Sequence, residues 1–352
     1  MERNADGKIK KIGMLGGGQL GMMAAEAAKK LGYEVIPYDP NPNSPAFKVC
    51  QDCVCAEWDD EDALRIFAKS VDVVTYEFEN IPMETIDILS KFSIIWPDKM
   101  LLQIAQHRVL EKTYLNTNGI KTTDFVKVQN KEQLNDTLEQ WGTDQCIIKT
   151  CRMGYDGKGQ AVYKKGEDLP KLKGELIAEK FVDFDCEISV IVARCQSGEV
   201  KSYPPFLNEH KNHILHKTTA PAPIDKDIEN KAIECAERLA ESVGLVGVLT
   251  LEMFVTKDGD VLANEIAPRP HNSGHLTIEA CETSQFEQQI RAVLDLPLGE
   301  TTLRSPATML NLIGDDIKDT AQYKDKPKTY LHNYGKPEVK EGRKMGHVTI
   351  LS

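Results

Sequence analysis

Two glutamates decide what chemistry this sequence could do. Glu252 and Glu265 fall in apolar, alternating segments, 249–255 and 261–266, that flank Lys257-Asp258-Gly259-Asp260. An Asp-Gly pair supplies the positive φ angles of a two-residue primed turn. The spacing therefore predicts a hairpin with Lys257 opposite Asp260 and Glu252 directly opposite Glu265. Facing carboxylates about 5 Å apart at Cβ repel unless a cation lies between them or one takes a proton. Mg²⁺, a hard cation that prefers oxygen ligands, resolves the conflict best when phosphates complete its shell. A strand face carrying two solvated glutamates is the ordinary alternative. The next segment shifts the balance, because PRPHNSGH places Arg269, His271, Asn272 and His275 in one short broken loop beside Glu265. Such a loop holds cationic and hydrogen-bonding groups against an anion.

A second group of residues suits phosphate. Residues 145–150 read as a strand carrying Lys149, then CRMGYDGKGQ, then a return strand at 161–163. Gly154, Gly157 and Gly159 make the tip pliable, and Lys149, Arg152 and Lys158 make it basic, as closure over nucleotide phosphates requires. The loop lacks the Gly-Lys-Ser/Thr ending of a Walker loop. A third group is Gly16-x-Gly18-x-x-Gly21 with Asp39 downstream, which satisfies the dinucleotide fingerprint but equally describes a tight turn before any helix. In the tail, Lys336, Arg343, Lys344 and His347 surround a glycine turn. Cys50, Cys53 and Cys55 lack a second pair at zinc-finger spacing and read as reduced thiols.

These groups need elements to position them. A strand at 12–15, a helix at 22–30 ended by Gly32, and a strand at 35–38 form a βαβ unit. Residues 60–68 read as a helix, and 71–76 as a strand ending at Glu77-Phe78-Glu79-Asn80 and stopped by Pro82. After a strand at 94–96, a single helical stretch runs from 97 to 118. Asn130 and Gln133 have capping-box spacing for a helix ending at Trp141. Residues 176–181 and 187–193 read as strands, where exposed amides from Glu179 to Val182 could grip an adenine ring and Glu187 could accept a ribose hydroxyl, although alternating charges on a sheet surface look much the same. Asn208-Glu209-His210 falls in a loop. Helices at 227–243 and 284–294 and a strand at 308–312 complete the order.

With 352 residues the chain has room for two or three domains. A net charge of -11 opposes general binding to nucleic acid or an anionic membrane surface, so neither is expected as a partner. No segment approaches the roughly 20 apolar residues of a membrane span, and the N-terminus has no apolar leader core, so the expected location is the cytoplasm.

The order of these features resembles the ATP-grasp superfamily. More closely, GGGQLGMM, YEFENIP, GYDGKGQ, EIAPRPHNSGH and YGKPEVKEGRKMGH resemble the 5-(carboxyamino)imidazole ribonucleotide synthase family. That resemblance implies an α/β and α+β chain in three parts: a Rossmann-like N-terminal domain (1–98), a two-lobed ATP-grasp domain (99–297) and a small β-rich C-terminal domain (298–352). By matching position, it implies that ATP meets Arg108, Lys149, Gly154, Tyr155, Asp156, Gly157, Lys158, Gly159 and Gln160. It further meets Glu179, Lys180, Phe181, Val182, Glu187, His210, Asn264 and Glu265. Glu252 and Glu265 would hold Mg²⁺. Aminoimidazole ribonucleotide would lie against Gln19, Leu20, Glu77, Tyr155, Asp156, Arg269, His271 and Asn272, with its phosphate at Lys336, Arg343 and Lys344.

One departure from the wider superfamily is Ala267, where many members carry an asparagine two residues after the second metal glutamate. The implied reaction uses bicarbonate as a second substrate: Lys149 and the glycine hairpin neutralise the γ-phosphate, Arg269 holds bicarbonate or carboxyphosphate, and the ribonucleotide amine captures CO₂. Asp156 and His271 are both candidates to orient or deprotonate that amine. The resemblance also implies a homodimer. The rival readings are another ATP-grasp carboxylate–amine ligase, a nicotinamide-dependent oxidoreductase built on the first glycine turn, and a non-catalytic nucleotide sensor.

Overall fold

The computed structural model describes residues 10–154 and 157–352. The chain opens with β1 (Lys11–Leu15), α1 (Gln19–Lys30), β2 (Glu34–Tyr38), α2 (Glu61–Ser70) and β3 (Val73–Tyr76). They form a parallel sheet in the order β2-β1-β3. Asp60 caps α2, its carboxylate accepting the Ala63 N–H at 2.9 Å. The region after Pro82, read only as a strand stop, continues as α3 (Met83–Leu89). The strand expected at 94–96 is a single bridge between Ile95 and Val74.

The helical stretch expected from 97 to 118 is two helices, α4 (Lys99–Ala105) and α5 (Arg108–Thr117). Tertiary bonds impose the break. Gln106 Nε2 donates to the carbonyls of Glu79 and Ile81, both at 2.7 Å, and the Arg108 N–H turns aside to Cys151 O at 3.0 Å. Arg108 thereby enters the first turn of α5 facing the centre of the molecule.

A small antiparallel sheet follows. Its strands are β4 (Phe125–Lys127), β5 (Gln145–Thr150), β6 (Gln160–Lys164) and β7 (Leu176–Glu179), in the order β4-β7-β5-β6. Helix α6 (Lys131–Trp141) closes one face through buried Leu134 and Leu138 against Cys146, Ile148, Tyr163 and Ala178. Asn130 caps it at 2.8 Å from the Gln133 N–H, and Gly142 ends it in the left-handed region.

The remaining strands build one large sheet. They are β8 (Phe184–Arg194), β9 (Val200–Ser202), β10 (Phe206–Lys211), β11 (Ile214–Ala220), β12 (Gly247–Thr256), β13 (Val261–Ala267), β14 (Ala307–Ile313), β15 (Thr329–Asn333) and β16 (Lys344–Leu351). The order is β13-β12-β8-β10-β11-β14-β16-β15, with β9 beside β8, so the C-terminal strands extend the sheet that carries both glutamates. Helix α7 (Lys226–Ser242) packs its buried Ala232, Ala236 and Leu239 against β8 and β12. After β13 come the one-turn α8 (Thr277–Ala280) and α9 (Gln285–Val293), the latter packing Phe286 and Ile290 against α1. Asn208, Glu209 and His210 lie in β10 rather than in a loop. The hairpin they start turns on Asn212 and His213, both at positive φ (51° and 64°) without a glycine.

Candidate active site

Glu252 and Glu265 are directly opposed on β12 and β13, as expected, but two departures cancel to put them there. The turn is not the two-residue kind. Thr256 faces Asp260, the loop holds Lys257, Asp258 and Gly259, and Gly259 takes φ 78°. That extra loop residue shifts the ladder by one, pairing Met253 with Ala263. A bulge at Asn264 then restores the pairing of Glu252 with Glu265. Without it, the one-residue slip would turn Glu265 to the other face of the sheet.

The two carboxylates are engaged from opposite sides. His271 Nε2 lies 2.8 Å from Glu252 Oε1, and Arg108 Nη1 lies 3.3 Å from Glu265 Oε2. Burial opposes ionisation of Glu252, but the adjacent His271 holds its carboxyl down at about 2. Two hard oxygen donors on one strand face fit a divalent cation.

The nucleotide-side expectations converge on the same region. Arg108 Nη2 donates to Gly154 O at 3.1 Å, tying the glycine hairpin to Glu265. Gly157 and Gly159 have positive φ (77° and 74°), and a Cβ on Gly157 would come within 2.6 Å of His213. Gln160 opens β6 opposite Lys149, and Lys158 precedes it in the hairpin. Tyr155 and Asp156 lie outside the described residues. Lys149 Nζ donates to Glu179 Oε2 at 2.7 Å; burial pushes the Glu179 carboxyl up, but the Lys149 and Lys112 charges outweigh it and leave the carboxyl below its ordinary range. Glu187 pairs with His210 at 2.7 Å. Burial disfavours the imidazolium of His210, but the Glu187 carboxylate outweighs it and raises its pKa.

One expectation in this group is corrected. The amides from Glu179 to Val182 are not all exposed: Glu179 belongs to the β5–β7 ladder, and the Lys180 N–H is committed to Asp124 O at 2.9 Å. Phe181 and Val182 follow, with the Phe181 side chain exposed. Asn264 keeps a buried Oδ1 with no hydrogen-bond partner among the described residues.

The residues expected on the substrate side gather where the first sheet meets the large one. Arg269 Nε is ion-paired with Glu79, which fixes the guanidinium between the end of β3 and the exit of β13. The glycine turn does not await an outside anion. Glu77 accepts the Gly18 and Gly21 N–H groups at 2.9 and 3.1 Å, and Asp39 accepts the Gly17 N–H at 2.7 Å. The chain's own carboxylates thus occupy the place of a dinucleotide pyrophosphate, which removes the oxidoreductase reading. Gln19 and Leu20 open α1 beside Glu77.

From the tail, Lys336 Nζ donates to Lys344 O at 2.7 Å, and Arg343 Nη1 donates to Glu338 O at 3.1 Å. Burial, then repulsion from Arg343, pushes the Lys336 ammonium down to about 8, with the Glu77 charge pulling the other way. Lys336 therefore feels both the glycine turn and the tail cations. Asn272 is held against Asn311 of β14. His275, grouped with the anion-facing residues from its place in the loop, is instead fully buried in the core, its ring near Phe286 and its pKa driven well down by desolvation.

Two residues with a strong claim on the site carried no signal in sequence. Glu111 and Lys112 of α5 are buried beside β13, whereas an adjacent Glu-Lys in a helix ordinarily reads as a solvated pair. Glu79 was visible only as part of an acidic strand end.

Three family models match the chain: an ATP-grasp domain over residues 113–286, a ribonucleotide synthetase preATP-grasp domain over 9–106, and a phosphoribosylaminoimidazole carboxylase C-terminal domain over 307–352. The chain is similar to N5-carboxyaminoimidazole ribonucleotide synthase of Bacillus subtilis, at 42% identity over 97% of this chain and 91% of the relative. It is 45% identical to the Brucella melitensis protein of the same name, over 97% and 96%. A crystal structure of N5-carboxyaminoimidazole synthase from Aspergillus clavatus, in complex with ADP and 5-aminoimidazole ribonucleotide, matches with TM-score 0.88 at 32% identity, covering 98% of this chain and 94% of that one.

Proposed function

The chain belongs to the N5-carboxyaminoimidazole ribonucleotide synthase family of ATP-grasp ligases, and on that premise we propose how its own residues divide the work. The reaction is ATP-dependent carboxylation of 5-aminoimidazole ribonucleotide, a step of purine biosynthesis. Bicarbonate is the proposed carboxyl donor. The observation that carries the assignment of roles is the register that sets Glu252 against Glu265, with Arg108 and His271 on either side.

Glu252 and Glu265 are the proposed Mg²⁺ ligands. When bound there, the ion would screen the charge of the nucleotide phosphates. Lys149, anchored by Glu179, and the backbone of the glycine hairpin receive the γ-phosphoryl group, and Arg108 joins hairpin and carboxylate. Phe181 and Val182 border the base, and Glu187, oriented by His210, accepts a ribose hydroxyl.

Arg269 is proposed to hold bicarbonate while its oxygen attacks the γ-phosphorus and ADP leaves, giving carboxyphosphate. Glu79 fixes the guanidinium plane in advance, so its orientation costs little at the moment of reaction. Carboxyphosphate divides into phosphate and CO₂. The ribonucleotide amine forms the new C–N bond and loses a proton, giving the carbamate. Among the described residues His271 is the candidate to orient that amine, and Asp156 remains its rival. Lys336, Arg343 and Lys344 hold the ribonucleotide phosphate, with Gln19, Leu20 and Glu77 along its flank. A homodimeric, cytoplasmic enzyme belongs to the same proposal and is carried by family likeness alone.

The experiment is ADP release from MgATP and bicarbonate, with and without 5-aminoimidazole ribonucleotide. Strong stimulation by the ribonucleotide is expected. Release without stimulation would point to another amine acceptor on the same fold, and no release would favour a nucleotide sensor.

A further inference from the structure

The bulge that brings Glu265 into register creates a problem that the chain solves from elsewhere. At a bulge the ladder is interrupted, and a backbone N–H or C=O left buried without a partner costs about 1–3 kcal/mol. Two consecutive side chains of α5 reach the backbone on either side of Glu265. Lys112 Nζ donates to Asn264 O at 3.2 Å, and Glu111 Oε1 accepts the Ile266 N–H at 2.5 Å. Glu111 and Lys112 are 1% and 0% exposed. Titratable side chains buried so fully often do no better for stability than apolar ones of the same size, so their presence points to a specific task.

The contacts extend one step further. Lys112 Nζ also lies 3.6 Å from Glu179 Oε1, whose other oxygen receives Lys149 Nζ at 2.7 Å. Arg108, on the same helical face at spacings of three and four residues, meets the Glu265 side chain itself.

We propose that Glu111 and Lys112 are positioning residues: they grip the backbone on both sides of Glu265 and, through Glu179, fix Lys149, so that α5 sets the metal-side carboxylate and the phosphate-side ammonium in one frame. This rests on the roles given above to Glu265 and Lys149. In this frame the Glu265 carboxylate is aimed by its own main chain, which cannot rotate while both neighbours are held. The side chain at 111 need only offer an acceptor of the right length. Glutamine satisfies that requirement, and asparagine, shorter by one methylene, does not.

The test is Mn²⁺ affinity in the presence of ADP, read by electron paramagnetic resonance on the full chain, for the unchanged protein and for E111Q, E111N, K112M and E265Q. E111Q is expected to bind Mn²⁺ within about twofold of the unchanged protein, whereas E111N and K112M weaken it by about tenfold, the equivalent of one lost buried hydrogen bond. A purely structural role would lower the melting temperature of E111N and K112M and leave Mn²⁺ affinity unchanged in the folded protein. That result, with E265Q still impaired, would overturn the proposal. Unchanged binding by E265Q would overturn the metal role of Glu265 instead, and with it the frame. Should K112M fail to fold, E111Q and E111N, compared where both are native by circular dichroism, decide the matter.

Discussion

Asn272 and Asn311 bind each other head to tail, each side-chain amide donating to the other's oxygen at 2.9 and 2.7 Å. Asn311 also donates to Leu215 O at 2.8 Å, so the pair pins the loop after β13 to β11 and β14. Asn311→Ala strands both atoms of the Asn272 amide. The expected result is a rise in the KM for the ribonucleotide of about three- to tenfold with kcat nearly constant, in line with one or two lost hydrogen bonds. An unchanged KM in steady-state assays would show that the pair does not position the substrate loop.

Glu265→Gln removes a negative charge but keeps the side chain's shape. ADP formation is expected to fall by about 10²-fold or more, because phosphoryl transfer depends above all on neutralising the charge of the group in flight. Normal turnover would remove Glu265 from the proposed metal site.

The phosphate role proposed for Lys336 gives the substrate affinity a pH dependence of definite sign. Burial and Arg343 bring its ammonium to about 8, so the charge that meets the phosphate is present below that pH and lost above it. The kcat/KM for the ribonucleotide should be level on the acid side and decline through about 8. Lys336→Ala should raise the KM and abolish this limb. Lys336→Arg, which keeps its charge, should move the decline to higher pH. A profile identical in all three proteins would dissociate Lys336 from the phosphate.

Gly157→Ala tests the seat of the glycine hairpin. The new Cβ would approach His213 to 2.6 Å at a φ of 77°, so the hairpin must lift from the β10–β11 turn. The KM for ATP should rise by about tenfold, the equivalent of about 1.4 kcal/mol, as the clash displaces the hairpin. Gly142→Ala is the control: its φ is also positive, but nothing lies within 4 Å of the added methyl. Equal effects of the two substitutions on ATP binding would place the cost in the backbone alone.

The sequence carried the fold class, and the architecture expected from it is borne out by the domain matches and the Aspergillus structure. The opposition of Glu252 and Glu265 was legible because alternation and an Asp-Gly turn are local signals. The route to it was not, since Asp-Gly serves loops of two or three residues, and a bulge leaves no compositional mark. The break at Gln106 and His107 was illegible for a related reason: it is made by bonds to Glu79, Ile81 and Cys151, all distant in sequence. The β10–β11 hairpin was hidden by polar strand residues and a turn without glycine. Glu111 and Lys112 were hidden most completely, because burial of a charged residue type is a property of what surrounds it.

The order of strands in the large sheet bears on how the enzyme is made. β16 lies between β14 and β15, and among the described residues β15 pairs with β16 alone. During vectorial synthesis, β15 leaves the ribosome with no neighbour to receive it and must wait for the later strand to insert. Lys344 opens that strand, and the Lys336 amine docks on its carbonyl. A nascent chain therefore completes the Glu252–Glu265 hairpin and the small antiparallel sheet well before Lys336 and Lys344 are in place. The edge of β14 stays open over that interval, making it a natural hold for a chaperone and a point of risk for association between unfinished chains.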